Sequence, residues 1–452
     1  MPGLNRRVPE AIGDSTQEIQ EIFELARSTY IRPGETGRKP GELELQSLQV
    51  HAKYYKNSAQ IPPPAPSRRE RALAIMEKAY QGTSWLLPNR WKSYEMFERA
   101  VNRLDLTSSP GYPYMLEATT NREWLEHDGV WPSYAKMQRL WYDVQLVFEE
   151  KYDIYIRVFV KDEPHKISKM KSGRWRLIMA CPLAVQVAWS MVFGFQNDIE
   201  ISNCYNIPSQ QGIVLVNGGW KEYLAQWKAD GLNCGVDFVA YDWTIAGWMI
   251  QDELEFRIRM CRYGELDKFD EWKGAAKWLY LQMFKESKLL TSCGSVWQQL
   301  EWGINKSGGF NTISLNGHVG VEMHILTCED LGVHYYPYCR KCGDDEVKLD
   351  SQITAESYAK YGMEVKFISE GIEFVGHEFT ERGPAPLYIT KHFSNLCYTK
   401  DENLEAFIDS MCRMYVHAPR YQEMWYLLAY KLGVGKKLLS PKAYAYWYDF
   451  ES

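Results

Sequence analysis

The chain has 452 residues, 45% of them hydrophobic, and a formal net charge of −6. That length allows about three domains and an ample core, and the acidic balance excludes a protein that holds nucleic acid through its overall charge. Ten scattered cysteines and no cleavable leader read as a reducing, cytosolic setting in which disulfides are not expected.

Taken in order, Thr16 to Arg27 has the pattern of a short amphipathic helix, followed by a Gly/Pro/charge loop, RPGETGRKPGE. IPPPAPSRRER reads as a polyproline-like strap ending in a basic helix start. Residues 70 to 150 are mostly helical in pattern, interrupted by TSSPGYPY (Thr107 to Tyr114), whose prolines and glycine make a rigid loop. From Tyr155 strand-like segments begin. Between Lys151 and Arg176, eight Lys and Arg stand against three acids, a local patch of +5 within an acidic protein. Apolar strand-like residues flank it, so it reads as positioned in a structure, with Lys161 and Arg176 suited to a nucleoside triphosphate. The uncharged run Leu177 to Asn197 is broken by Pro182 and falls short of the roughly 20 residues of a membrane span, so we expect a buried helix. From Cys234 to His377 short strands and helices alternate, and Asn403 to Phe450 is helical and rich in Trp and Tyr. Most of the 17 tryptophans and 30 tyrosines belong to cores and interfaces.

CGDDEV, Cys342 to Val347, places two carboxylates behind a glycine where the flanking residues read as a β-hairpin. Paired acidic oxygens at a turn suit Mg²⁺, although taken alone GDD is an ordinary hairpin tip. Upstream, VDFVAYDW puts Asp237 at the end of an apolar run and Asp242 five residues on, a second carboxylate source of the kind a two-metal site needs. In KSGGFNTISLNG, Ser307-Gly308-Gly309 permits close backbone approach, and the i, i+4 spacing puts Thr312 and Asn316 on one helical face, suited to a ribose hydroxyl. Cys339-x-x-Cys342 invites a zinc or redox reading, but no second CxxC follows and strand alternation separates the sulfurs.

In this order the pieces resemble a viral RNA-dependent RNA polymerase, most closely those of sobemoviruses and the solemovirus group. TSSPGYP resembles the family's motif G, FVKDEPHK with GRWRLI motif F, DFVAYD motif A, SGGFNTISLN motif B, CGDDEV motif C, YGMEVKF motif D and FVGHEF motif E, together covering roughly residues 107 to 380. One departure is CRKC before the glycine, charged where the family's strand is usually apolar, which leaves open whether Arg340 and Lys341 meet RNA or solvent.

The resemblance implies an α+β fold: a closed right hand whose antiparallel palm sheet packs on helices. Fingers with an N-terminal strap would occupy 1–233, with a palm segment around 177–200; the palm 234–384, with a fingers insertion at about 250–300; and a small helical thumb 385–452. It further implies that Asp237 and Asp344 bind two Mg²⁺, with Asp345 in support and Mn²⁺ as a substitute. Lys161, Arg174 and Arg176 would hold the triphosphate. Asp242 and Asn316 would read the 2′-hydroxyl in a pocket shaped by Ser307, Gly308 and Thr312. Lys366 would pass a proton to pyrophosphate, with Lys360 as the nearby alternative. Ser109, Gly111 and Pro113 would line the template entrance, and Gly376 and His377 the primer grip. Partners implied are template and product RNA, NTPs, a protein primer (VPg) and membrane-bound replication proteins, with no DNA, in host cytoplasm at membrane-associated complexes. A reverse transcriptase and an inactive RNA-binding scaffold are the competing readings; the polar pair Asp242 and Asn316 speaks against the first, and intact Asp237, Asp344 and Asp345 against the second.

Overall fold

Local chemistry sets several helix starts in this computed structural model, which describes residues 3–451. After α1 (Arg7–Gly13), Thr16 caps α2 (Gln17–Thr29) by accepting a hydrogen bond from Ile19 N. Pro40 and Pro66 open α3 (Pro40–Ala59) and α4 (Pro66–Ala79), at positions where no helical N–H bond is lost. The uncharged run after residue 176 is not one helix. Its first four residues pair antiparallel with β1 (Ile156–Val160) as β2 (Leu177–Ala180), and Pro182 separates them from α5 (Leu183–Ser202). The residue before a proline is driven to extended backbone, so the helix begins only after it. Among the described residues no helix is long and apolar enough to cross a membrane.

Next, β3 (Cys234–Val239) runs into α6 (Tyr241–Thr244), α7 (Gly247–Met260) and α8 (Leu266–Phe284). The hairpin β4 (Lys288–Leu290) and β5 (Val296–Gln298) adds to the first pair to make a sheet ordered β2-β1-β4-β5. Residues from 288 to 298 thereby join a sheet begun near 156. Helix α9 (Thr312–Leu331) precedes β6 (Arg340–Cys342), β7 (Asp345–Lys348) and β8 (Glu364–Ile368). These build the central sheet, ordered β6-β7-β3-β8 and antiparallel throughout. A separate three-stranded meander, β9 (Ile372–Phe374), β10 (His377–Thr380) and β11 (Gly383–Pro386), leads to α10 (Ile389–Cys397), α11 (Leu404–Met414), α12 (Pro419–Leu432) and α13 (Pro441–Asp449).

Helix α9 is the buried axis, with every residue from Ser314 to Cys328 inside. Several of its polar members are partnered, as burial favours: His318 bridges Glu200 (2.5 Å) and Glu253 (2.9 Å), and Arg257 donates to Ser314 (2.7 Å). These bonds tie α9 to α5 and α7. A second core gathers Val8, Ile12 and Phe23 from the beginning of the chain with Phe393, Ile408 and Trp425 from its last helices. Arg32 completes the closure, bonding Asn395 (3.2 Å), lying over the Tyr398 ring and pairing with Asp162 at 3.7 Å.

Candidate active site

Strand register brings the carboxylates together. In the central sheet Glu346 lies opposite Val236 and Val347 opposite Gly235; one step further along the same ladder, Asp345 comes level with Asp237. Gly343 turns the hairpin at φ +63°, which leaves Asp344 at its tip. Beneath the tip Lys341 is fully buried, its Nζ 3.3 Å from the Asp344 carbonyl and over the rings of Tyr241 and Phe238. Gly320 makes room for it: a Cβ there would sit 2.4 Å from Lys341 Cε. Arg340 is buried as well, paired with Asp230. Burial and the negative charges of Asp344 and Asp237 push the Asp345 carboxyl up to about 6, Lys341 opposing. Burial and Asp344 push Asp242 up to about 7, against the hydrogen bond from Asn316. Register and charge thus set Asp237 of β3 near Asp345 and Asp344 of the β6–β7 hairpin.

Between Val365 and Phe367 the pairing of β8 with β3 slips by one residue, and Lys366 is the extra residue in that bulge. A bulge re-aims its side chain; here Lys366 Nζ reaches 3.7 Å from Asp237 Oδ2. Lys360 instead pairs with Asp330 at 3.0 Å.

The next pocket depends on Ala240, which takes a left-handed conformation (φ +47°) and breaks the strand so that Asp242 enters α6. Asn316 Nδ2 donates to Asp242 Oδ1 at 2.7 Å, and Asn305 Nδ2 donates to Asn316 Oδ1 at 2.8 Å. Thr312 opens α9 four residues before Asn316, and its hydroxyl donates to the Lys306 carbonyl at 2.6 Å, closing the loop. Ser307 O accepts from Met179 N (2.8 Å), laying the loop on β2, and Gly308, at φ +100°, has no space for a Cβ against Met179 O.

Above the carboxylates, Glu163 gathers the basic side chains: Lys161 at 3.3 Å, Arg176 at 3.0 Å and, from α10, Lys391 at 3.8 Å. Burial works to raise Glu163, but Arg176, Lys391 and Lys161 together hold it below the usual carboxylate range. Arg174 stacks over Tyr54 at 5.1 Å, its Nε buried without a hydrogen-bond partner. Lys169 joins this group, brought down to about 8 by burial and by the charges of Arg174, Lys366 and Arg176. Sequence reasoning missed Asn305, Glu163, Lys169 and Lys391. The acid inside VKDEPHK was a signal for Glu163; Lys391, more than 200 residues away, carried none.

At the rim, Ser109 Oγ accepts from Gly111 N (3.2 Å), and Gly111, at φ +68°, lies so close to Cys181 O that a Cβ would come within 2.4 Å. Pro113 follows in the same loop, before the short helical turn Tyr114–Leu116. Gly376 (φ +74°) turns β9 into β10, where His377 Nδ1 meets the Val375 carbonyl at 2.8 Å and burial lowers the imidazole's pKa. All ten cysteines are free; Cys339 is buried and Cys342 partly exposed.

Residues 42–352 match the family model described as viral RNA-dependent RNA polymerase. The chain is 29% identical over 417 residues to protein P2-P3 of Poinsettia latent virus, covering 82% of this chain and 36% of that protein. To replicase polyprotein P2AB of Southern cowpea mosaic virus it is 27% identical over 379 residues, covering 78% and 37%. It thus spans little more than a third of these curated relatives. In fold it resembles the Sicinivirus 3Dpol RNA-dependent RNA polymerase, with a TM-score of 0.66 at 18% identity over 85% of each chain, so the fold is that of a right-hand polymerase. The chain belongs to the viral RNA-dependent RNA polymerase family.

Proposed function

We propose that this chain synthesises RNA on an RNA template from NTPs, replicating a positive-strand viral genome. The observation that supports the reading is the strand register, which sets Asp345 of β7 level with Asp237 of β3, next to Asp344 at the hairpin turn. Three carboxylates without nitrogen or sulfur donors fit Mg²⁺, with Mn²⁺ as a substitute. When bound, two such ions supply activation of the attacking 3′-hydroxyl and stabilisation of the leaving oxygen.

The remaining steps fall to the chain's own groups. Lys161, Arg174 and Arg176 hold the triphosphate, and Glu163 keeps two of them in place until it arrives. Asp242 and Asn316 exchange their mutual hydrogen bond for bonds to the ribose 2′-hydroxyl, which disfavours deoxyribonucleotides because their lack of that group leaves buried polar atoms unpaired. Ser307 and Gly308 let the backbone approach the sugar, and Thr312 fixes their loop. Lys366 delivers a proton to the pyrophosphate. Ser109, Gly111 and Pro113 guide the template strand; Gly376 and His377 steady the primer end.

In this reading residues 1–233, 234–384 and 385–452 serve as fingers, palm and thumb. A protein primer and membrane-bound replication proteins are the partners we assign, in host cytoplasm. The test is incorporation of labelled NTP or dNTP by the purified chain on an RNA template with Mg²⁺, with and without primer. We expect template-dependent NTP incorporation that disappears in Asp344→Ala while RNA affinity stays within a few-fold. Normal turnover in that variant would refute the carboxylate assignment.

A further inference from the structure

Beneath the aspartate hairpin lies a second constellation that RNA synthesis does not use. His324 of α9, Cys339 just before β6 and Glu346 of β7 each place one donor atom, nitrogen, sulfur and oxygen, within 4.8 Å of the other two, and all three side chains are buried. The cysteine motif seen in the sequence therefore divides. Cys339 turns into the core with a histidine and a glutamate, while Cys342 stays at the edge.

Two details point to a ligand. His324 Nε2 meets the Tyr335 carbonyl at 2.7 Å, which makes that nitrogen the donor and leaves Nδ1 as a lone pair; Nδ1 is buried and has no hydrogen-bond partner. A metal-binding histidine is set up in this way, one N–H fixed by a carbonyl and the other nitrogen free to ligate. The local charge also balances. Cys339 as thiolate and Glu346 as carboxylate neutralise a divalent ion. The buried ammonium of Lys348, 2.8 Å from the Tyr358 hydroxyl and 4.0 Å from Glu346, is the carboxylate's charge partner when no ion is bound.

We propose that His324, Cys339 and Glu346 form a structural site for a thiophilic divalent cation of the zinc class. Mixed nitrogen, sulfur and oxygen ligands in a closed, buried setting select zinc over magnesium. Bond lengths of about 2.0–2.3 Å place tetrahedral donors about 3.5 Å apart, inside the 4.8 Å within which these three atoms lie. The ion would pin β6 and β7 to α9 from below, on the opposite side of the hairpin from the triphosphate site.

The test is Co²⁺ binding by the full purified chain, read as the thiolate-to-cobalt charge-transfer absorption and its displacement by Zn²⁺. We expect a single equivalent, with the band lost in Cys339→Ser, weakened in Glu346→Gln, and retained in both Cys342→Ser and Asp344→Asn. The last variant separates this site from the catalytic carboxylates. Zn²⁺ should also raise the melting temperature of the unaltered chain and not that of Cys339→Ser, a comparison in which the unaltered chain needs no substitution to fold. Absence of a charge-transfer band in the unaltered chain would overturn the proposal, as would a band that survives Cys339→Ser or vanishes in Cys342→Ser.

Discussion

Asn305 donates to the amide oxygen of Asn316, and that one bond decides which end of Asn316 faces Asp242. With Asn305 removed, the amide is free to rotate and present its oxygen to a carboxylate. A hydrogen bond of this kind contributes about 0.5–1.5 kcal/mol, so Asn305→Ala should reduce the preference for NTP over dNTP about 2–10-fold, read as the ratio of kcat/KM values. Should the ratio stay put in Asn305→Ala while shifting in Asn316→Ala, Asn305 would have no orienting role. The contrast between these two residues also shows what a sequence reveals. Asp237, Asp242, Asn316 and the Asp344–Asp345 pair sit in short motifs whose spacing is visible along the chain. Asn305 works through a partner eleven residues away across a loop, and Glu163 through Lys391 in the last helices, so their importance exists only in three dimensions.

At the scale of single elements the same division appears. Leu177–Ala180 is as apolar as the helix that follows it, and only pairing with β1 makes it a strand; a short apolar run carries no periodicity to distinguish the two. The bulge that aims Lys366 at Asp237 is likewise a property of the register between β3 and β8, and neither strand encodes it alone. The loop before the Tyr114–Leu116 turn offers a direct check on how tightly an element must sit. Gly111 combines φ +68° with a backbone carbonyl 2.4 Å from any Cβ, and a left-handed conformation alone costs a non-glycine residue about 1–2 kcal/mol. Gly111→Ala should therefore lower thermal stability by several degrees and weaken template binding, whereas alanine at Gly274, where a Cβ meets nothing within 4 Å, should leave template binding unchanged. Equal effects at the two positions would show that the loop does not depend on its approach to Cys181.

Across the whole molecule, three histidines are folded into settings that keep them neutral. Burial lowers His51, His165 and His392 to about 4 each, against about 6.5 in an unfolded chain. Between those values each of these histidines binds more protons unfolded than folded, so its contribution to stability is fully present above about pH 6.5 and is lost as pH falls toward 4, while Asp242 and Asp345, raised to about 7 and about 6, act in the opposite sense. Urea unfolding across that window should show His51→Gln losing less stability on acidification than the unaltered chain, by on the order of 1–3 kcal/mol. An identical pH dependence in the two chains would contradict the assignment. Binding of RNA should weaken steeply with added salt, since a local basic patch on an acidic protein must act through phosphate contacts, and the slope should shrink when Lys161 or Lys169 is replaced.

The second core has a consequence in time. Val8, Ile12 and Phe23 share a core with Phe393, Ile408 and Trp425, and Asn5 bonds to Thr399. At about 5–20 residues per second of synthesis, the first helices wait some tens of seconds for the residues that cover them. Throughout that interval their apolar faces stand uncovered on the nascent chain, and this core closes only when the helices from Ile389 onward have left the ribosome. Those later helices lock α1 and α2 in place.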